Sequence, residues 1–391
     1  MSGRQILGRD PRTGQCIRVL VEDGLIISIE ESEEATDLWI SPGLVDLQVN
    51  GYAGLDFNDE GIVPKTVIEL VRAMLRTGVT CFAPTVITAS EPMILRSLRA
   101  IAEARASDML ASTCIPFVHM EGPHISPIDG YRGAHPLEFV RPPSLGEFDR
   151  WQEACGGLVG LVTLSPHFDR SDEYIAALAA RNVHVSIGHT HASPEQIRSA
   201  VEAGARLSTH LGNGVATQLA RHPNPIWSQL ANDQLAASFI ADGHHLPAET
   251  FKAMVRAKGM DRSLLISDTV SLAGMPAGTY TVPVGGRVEL SADGRLSMER
   301  MSTLAGATIP LVQCIGKAVN MTGLSLAEVL TMATVNPGRF VDGRGLLQTG
   351  MRADLIRFQW AGEVAIQEVW LTGELILTRD LLHIWSNLKF L

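Results

Sequence analysis

The chain of 391 residues is poor in cysteine, short of basic residues relative to acidic ones, and free of long apolar runs. Its five cysteines (Cys16, Cys81, Cys114, Cys155 and Cys314) are scattered, odd in number and never spaced C-x-x-C. That excludes a disulfide framework or a cysteine zinc site and reads as buried thiols in a reducing compartment. No stretch approaches the roughly 20 uninterrupted apolar residues of a membrane helix. Met1 to Pro11 carries Arg4 and Arg9 but no apolar core of a signal peptide, so a cytoplasmic protein with no membrane partner is expected. Lys and Arg number 32 against 42 Asp and Glu, a formal charge of −10. This argues against nucleic acid or an anionic membrane as partner, while a local arginine can still serve an anionic small molecule. Low-complexity tracts and internal repeats are also absent.

What is present is a globular composition, 46% apolar and 19% charged, with a recurring pattern. Short apolar runs end in polar residues: Ile115–Val118 leads to His119 and Glu121, Val183–Ile187 to His189, Ala205–Ser208 to His210, and Leu264–Ser267 to Asp268. Parallel strands buried on both faces read as continuous apolar runs, and in an eight-stranded α/β barrel the chemistry sits where they end. Eight such strands are expected, at Gly43–Val49, Thr80–Thr85, Ile115–His119, Leu158–Leu164, Val183–Gly188, Ala205–His210, Ala236–Ala241 and Leu264–Asp268. Helical periods fall between them, for example over Val63–Arg76, Pro92–Ala104, Glu173–Ala180 and Ala248–Ala257. Ser193-Pro194-Glu195-Gln196 carries the signs of a capping box. Two further helices, Thr308–Asn320 and Leu326–Thr334, follow the last strand, and Asn336-Pro337-Gly338 stops them.

The ends differ from the middle. Residues 1–40 alternate short β-like runs (Ile17–Val21, Leu25–Ile29, Leu38–Ile40), and the chain from about Gly350 does the same in Ala353–Phe358, Val364–Leu371 and Gly373–Leu377. Each end is too small to fold alone. The expected architecture is therefore an α/β protein: a (β/α)8 TIM-like barrel over 43–344, flanked by a small β-sandwich domain built from 1–42 and 345–391.

Eleven of the twelve histidines lie between His119 and His245, with only His383 outside. Single histidines are usually structural; a cluster at strand ends is harder to explain so. His189, His210 and Glu121 offer two imidazoles and a carboxylate, which with an open position make a recognised catalytic zinc arrangement. Asp268 is a carboxylate able to take a proton from an attacking water and deliver it to a leaving amine, or, blandly, a helix cap.

Pro42-Gly43-Leu44-Val45-Asp46 with Gln48-Val49-Asn50-Gly51, His119-Met120-Glu121-Gly122-Pro123, Gly188-His189-Thr190, Thr209-His210-Leu211 and Ser267-Asp268-Thr269 occur in the order found in the amidohydrolase superfamily. More narrowly, the chain resembles its N-acetylglucosamine-6-phosphate deacetylase family, and the resemblance runs through Ala333-Thr334-Val335-Asn336-Pro337. Position by position it implies Glu121, His189 and His210 as metal ligands and Asp268 as catalytic acid and base. It implies substrate contacts at His135, Asn213, Gly214 and His245. Arg221, eleven residues after His210, matches an arginine that reaches the sugar phosphate of the neighbouring subunit, which implies a homodimer. The reaction implied is hydrolysis of an N-acetylated amino sugar phosphate to the free amine and acetate.

Where many amidohydrolases place His-x-His on the first strand, this chain has Gln48-Val49-Asn50. Amides are poor ligands for a transition metal beside imidazole, so a single divalent ion, zinc first, is expected, with Gln48 as a possible water or second-site contact. Other departures bear on substrate. Gly212 and Val215 replace an aromatic and a methionine, suggesting a roomier wall. His167 stands where glutamate is common, His124 where an aromatic is usual, and His191 is an added histidine near the metal. Another N-acyl amino sugar, an N-acyl amino acid or a cyclic amide are the alternative substrates. A catalytically silent binding barrel is the alternative class, which loss of a ligand or of the acid/base would favour; none is lost.

Overall fold

The structure is a computed structural model, and it describes residues 3–282, 286–299 and 304–378. His383 and the end of the expected 345–391 segment lie outside the described residues.

The N-terminal stretch forms β1 (Arg4–Arg9), β2 (Cys16–Glu22), β3 (Leu25–Glu31) and β4 (Trp39–Pro42). The chain then enters the barrel with β5 (Leu44–Val49), followed by a two-residue hairpin, β6 (Gly51–Tyr52) and β7 (Leu55–Asp56). Seven more barrel strands follow: β8 (Val79–Ile87), β9 (Val118–Glu121), β10 (Val159–Leu164), β11 (His184–Ile187), β12 (Leu207–Ser208), β13 (Ala236–Ile240) and β14 (Ser263–Ile266). They pair in parallel in chain order from β5 to β14. A parallel bridge between Val49 and Thr269 and the bond from the Asp268 amide to Gln48 O (3.0 Å) join the last segment to the first. All eight expected barrel strands are present. Their residues are almost wholly buried because side chains on one face fill the barrel (Val45, Leu47, Leu161, Leu207, Leu264, Ile266) while the other face meets the helices (Val86, Met120, Val162, Val185, Phe239).

The expected helices are found as Pro64–Arg76, Glu91–Ser107, Ser171–Ala179, Ala248–Lys258, Leu311–Thr322 and Leu326–Ala333. The capping box closes at Pro194–Ala203: Ser193 Oγ accepts from the Gln196 amide at 3.3 Å and Gln196 Oε1 from the Ser193 amide at 2.9 Å.

One element was not foreseen. After β14 the chain makes a three-stranded antiparallel sheet, β15 (Gly278–Val282), β16 (Gly286–Leu290) and β17 (Leu296–Met298), with its own core of Leu272, Val288, Leu290 and Leu296.

The C-terminal stretch supplies β18 (Leu355–Trp360), β19 (Val364–Leu371) and β20 (Glu374–Thr378). They join the N-terminal strands in one seven-stranded sheet ordered β20-β19-β18-β4-β1-β2-β3. Its N-terminal and C-terminal strands share a core of Ile6, Ile17, Val19, Val21, Ile26, Ile40 and Leu355. Ile356 and Phe358, on the other face of β18, join the barrel core.

Candidate active site

Three site residues sit just beyond strand ends in backbone conformations that side-chain-bearing residues rarely adopt. His189, His210 and Asp268 have φ of +47°, +30° and +50°, a left-handed geometry that costs on the order of 1–3 kcal/mol each and persists only where surroundings impose it. The surroundings are visible. The His210 amide donates to Ser238 Oγ (2.9 Å) on β13, the His189 carbonyl accepts from the Ser126 amide (2.9 Å), and the Asp268 amide is held by Gln48 O. Each turn swings its side chain over the same end of the barrel.

There Glu121 Oε1 lies 2.8 Å from His210 Nε2 and 3.3 Å from His189 Nε2. All three side chains are buried, and their potential ligand atoms fall within 4.8 Å of one another. His189 Nδ1 lies 2.9 Å from the carbonyl of Tyr131, to which it donates, and the ring is thereby held with Nε2 facing Glu121. The ring of His189 is packed between His210 (4.8 Å between centroids) and His135 (4.5 Å). Gly214, at φ +60°, backs against it so closely that a Cβ there would lie 2.7 Å from His189 Nδ1. Burial pulls Glu121 upward, but the hydrogen bonds from His189 and His210 outweigh it and hold the carboxyl well below its usual range. Two neutral-capable imidazoles and an ionised carboxylate, buried and converging, fit a divalent ion.

Asp268 borders the same cavity. Burial and the charge of Glu121 push it up to about 6, against the pull of His210, His245 and the hydrogen bond from Asn50 Nδ2 (2.8 Å). His245 is oriented by Asp242, whose Oδ2 lies 2.7 Å from Nδ1 while Oδ1 accepts the His245 amide at 2.9 Å. His135 Nδ1 meets Thr88 Oγ1 at 2.9 Å, and burial, aided by His189, presses its pKa down to about 3.

These residues line one cleft of about 330 Å³, with Asn213 and Gly214 among them. Of the residues singled out in the sequence, Arg221 is exposed and not part of this lining, and Gln48 is buried below it with Nε2 lacking a partner. Three further histidines singled out in the sequence, of which His191 was expected near the metal, are not part of the lining. His124 is stacked on Trp151 (5.5 Å) with Nδ1 on the Arg141 carbonyl, so it is a core residue filling an aromatic's place. His167 and His191 face each other outside the cleft. The wall at Gly212 is not open either: Leu246 and Met254 come within 3.0 Å of where a Cβ would sit, and φ is +95°. Not legible in the sequence were Asp56 and Asn58, at and just after β7, Val282 and Leu296 of the three-stranded sheet, and Leu304, which is bridged to Ser297; all border the cleft.

Against known proteins, the model of the amidohydrolase family matches residues 39–376. The chain belongs to that family. It is a metal-dependent hydrolase of carbon–nitrogen bonds. It is 31% identical to the N-acetylgalactosamine-6-phosphate deacetylase of Escherichia coli, over 91% of this chain and 93% of that one. To the N-acetylglucosamine-6-phosphate deacetylase of Bacillus subtilis it is 30% identical, over 84% and 82%. Among solved structures it superposes on a variant N-acetyl-D-glucosamine-6-phosphate deacetylase of Mycobacterium smegmatis, in complex with N-acetyl-D-glucosamine-6-phosphate, with a TM-score of 0.85. That match has 26% identity over 97% of this chain and 100% of the other. The N-acetylglucosamine-6-phosphate deacetylase of Thermotoga maritima gives a TM-score of 0.83 at 28% identity, over 95% and 98%. Among the described residues no helix is long and apolar enough to cross a membrane.

Proposed function

We propose that this amidohydrolase removes the acetyl group of N-acetylglucosamine 6-phosphate, giving glucosamine 6-phosphate and acetate. The observation that carries the reading is the joint presence of the Glu121–His189–His210 cluster and Asp268 in a chain about 30% identical to such deacetylases over most of its length.

Glu121, His189 and His210 hold one divalent ion, zinc first. Bound there, such an ion polarises an amide carbonyl and makes water nucleophilic near neutral pH. Asp268 takes the proton of the attacking water and returns it to the amine nitrogen as the C–N bond breaks. Asn50 fixes its orientation through the 2.8 Å bond to Oδ1. His135 and His245 contact the sugar and acyl oxygens, with Asn213 and the Gly214 backbone beside them.

The described residues bordering the cleft include no lysine or arginine. A phosphate dianion therefore needs a cation from elsewhere, and exposed Arg221 of a second copy supplies it in a homodimer, by paired donors. The barrel of 43–344 carries the site, the domain of 1–42 and 345–391 supports it, and five free thiols suit the cytoplasm. The galacto-configured substrate is the second reading, favoured by the E. coli relative.

A comparison of kcat/KM for N-acetylglucosamine and N-acetylgalactosamine, each with and without the 6-phosphate, tests this. Preference for a phosphorylated N-acetylhexosamine is expected. Faster turnover of an N-acyl amino acid or a cyclic amide would overturn it.

A further inference from the structure

His167 and His191 are unused by the cleft chemistry, yet they are placed with care. His167 follows β10 and His191 follows β11, neighbouring parallel strands at the same end of the barrel as the Glu121 cluster. Their ring centroids are 4.2 Å apart, with the planes tilted by 44°. Each Nδ1 is pinned by a fully buried serine, His167 by Ser165 Oγ and His191 by Ser126 Oγ, both at 2.7 Å.

The direction of one bond fixes a tautomer. Ser165 gives its single hydroxyl proton to Thr190 Oγ1, 2.7 Å away. Its oxygen is then an acceptor, so His167 Nδ1 carries the hydrogen and Nε2 keeps its lone pair. At the other ring, Ser126 Oγ also accepts from the Ile128 amide at 3.2 Å, which holds that serine in place. Both imidazoles are half-buried, and among the described residues neither Nε2 has a hydrogen-bond partner. An imidazole whose inner nitrogen is held by a second group and whose outer one is free is the usual form of a metal-binding histidine. Ring packing alone, such as the 3.9 Å approach of Phe168 to His167, would not call for two serine anchors.

We propose that His167 and His191 form a second, outward-facing site for a divalent transition-metal ion of the kind imidazoles favour (zinc, copper or nickel), completed by water. The pair is tied to the cleft through Tyr131, whose ring lies 5.9 Å from His191 and whose carbonyl holds His189 Nδ1. The site is independent of the deacetylase reading, which uses neither residue.

The test is zinc uptake by metal-stripped full-length protein in equilibrium dialysis. Wild type takes up two ions per chain, one tight and one weaker. The His167→Gln/His191→Asn double variant keeps the tight ion and loses the weaker one, and His167→Gln alone weakens it by roughly tenfold or more. Saturation of wild type at one ion, or a second ion that persists in the double variant, overturns the proposal. A measurement on wild type alone guards against a misfolded variant. Cu2+ added after the first zinc equivalent gives an electron paramagnetic resonance spectrum coupled to two imidazole nitrogens. Purely oxygen coordination there overturns the proposal equally.

Discussion

The terminal sheet and the strand ends around Glu121 handle polar groups and backbone strain differently. In the sheet, Arg357 pairs with Glu368 at 2.7 Å, Arg352 with Asp354 at 2.9 Å, and positive φ at non-glycine residues falls in turns, at Asp23 and Thr372. Around Glu121, three side-chain-bearing residues hold left-handed φ, and Gln48 Nε2, Asn213 Nδ2 and His210 Nδ1 are buried without partners, whereas in the sheet the buried atoms so left among the described residues are the Nε of Arg9 and Arg357. Buried orphan groups cost about 1–3 kcal/mol each. A fold tolerates them together where they serve a ligand, and the sheet and barrel core supply the packing that offsets them. The sheet's side chains hold the molecule together; those at the strand ends do its chemistry.

The largest effect is expected at Asp268→Asn. It should lower turnover by about 10²- to 10⁴-fold, the usual worth of a positioned acid/base, with metal content and melting temperature unchanged. Steady-state kinetics with metal analysis checks it, and full activity would remove Asp268 from the chemistry. The converse is Phe358→Ala in the sheet. Phe358 is fully buried, so about 3–5 kcal/mol of stability should be lost in denaturant titrations, with kcat/KM per folded molecule unaltered. A changed KM would show the two regions to be coupled.

Asp46 sharpens the boundary between them. It lies on β5 between Val45 and Leu47, fully buried, where burial pushes its pKa up to about 7 despite hydrogen bonds from Ser267 and Gln48. The folded chain then holds a proton that the unfolded chain, at 3.8, has released. Stability contributed by this group is present below about pH 4 and is lost as pH rises to about 7, by up to about 4 kcal/mol. Asp46→Asn should therefore gain stability relative to wild type between pH 5 and pH 8 in thermal melts; a flat difference would contradict the shift. The smallest effect is expected at Gly212→Ala, where φ +95° and contacts to Leu246 and Met254 should cost about 1–3 kcal/mol, with KM rising more than kcat falls. A binding constant left untouched would detach this wall from the substrate.

The barrel strands were legible because burial on both faces writes them as apolar runs. Glu121, His189, His210 and Asp268 were legible because each closes such a run. The strand Arg4–Arg9 was not, since Gly8 and exposed Arg4 and Gln5 blur its alternation. Neither was β15–β17, whose residues are mostly exposed in Gly278–Val282; its contribution to the cleft is a tertiary approach with no local signal. Histidines misled for a related reason. Beyond a strand end, sequence does not tell which side of a loop a ring takes, so His124 under Trp151 reads the same as His135 in the cleft.

Metal-dependent deacetylation by this chain can be tested in one assay. Protein stripped of metal and reloaded with one equivalent of zinc is given N-acetylglucosamine 6-phosphate, and acetate and primary amine are counted. The prediction is equal amounts of both, with no turnover before reloading and full recovery after it. Turnover unaffected by removal of the metal, or no acetate after reloading, would contradict it.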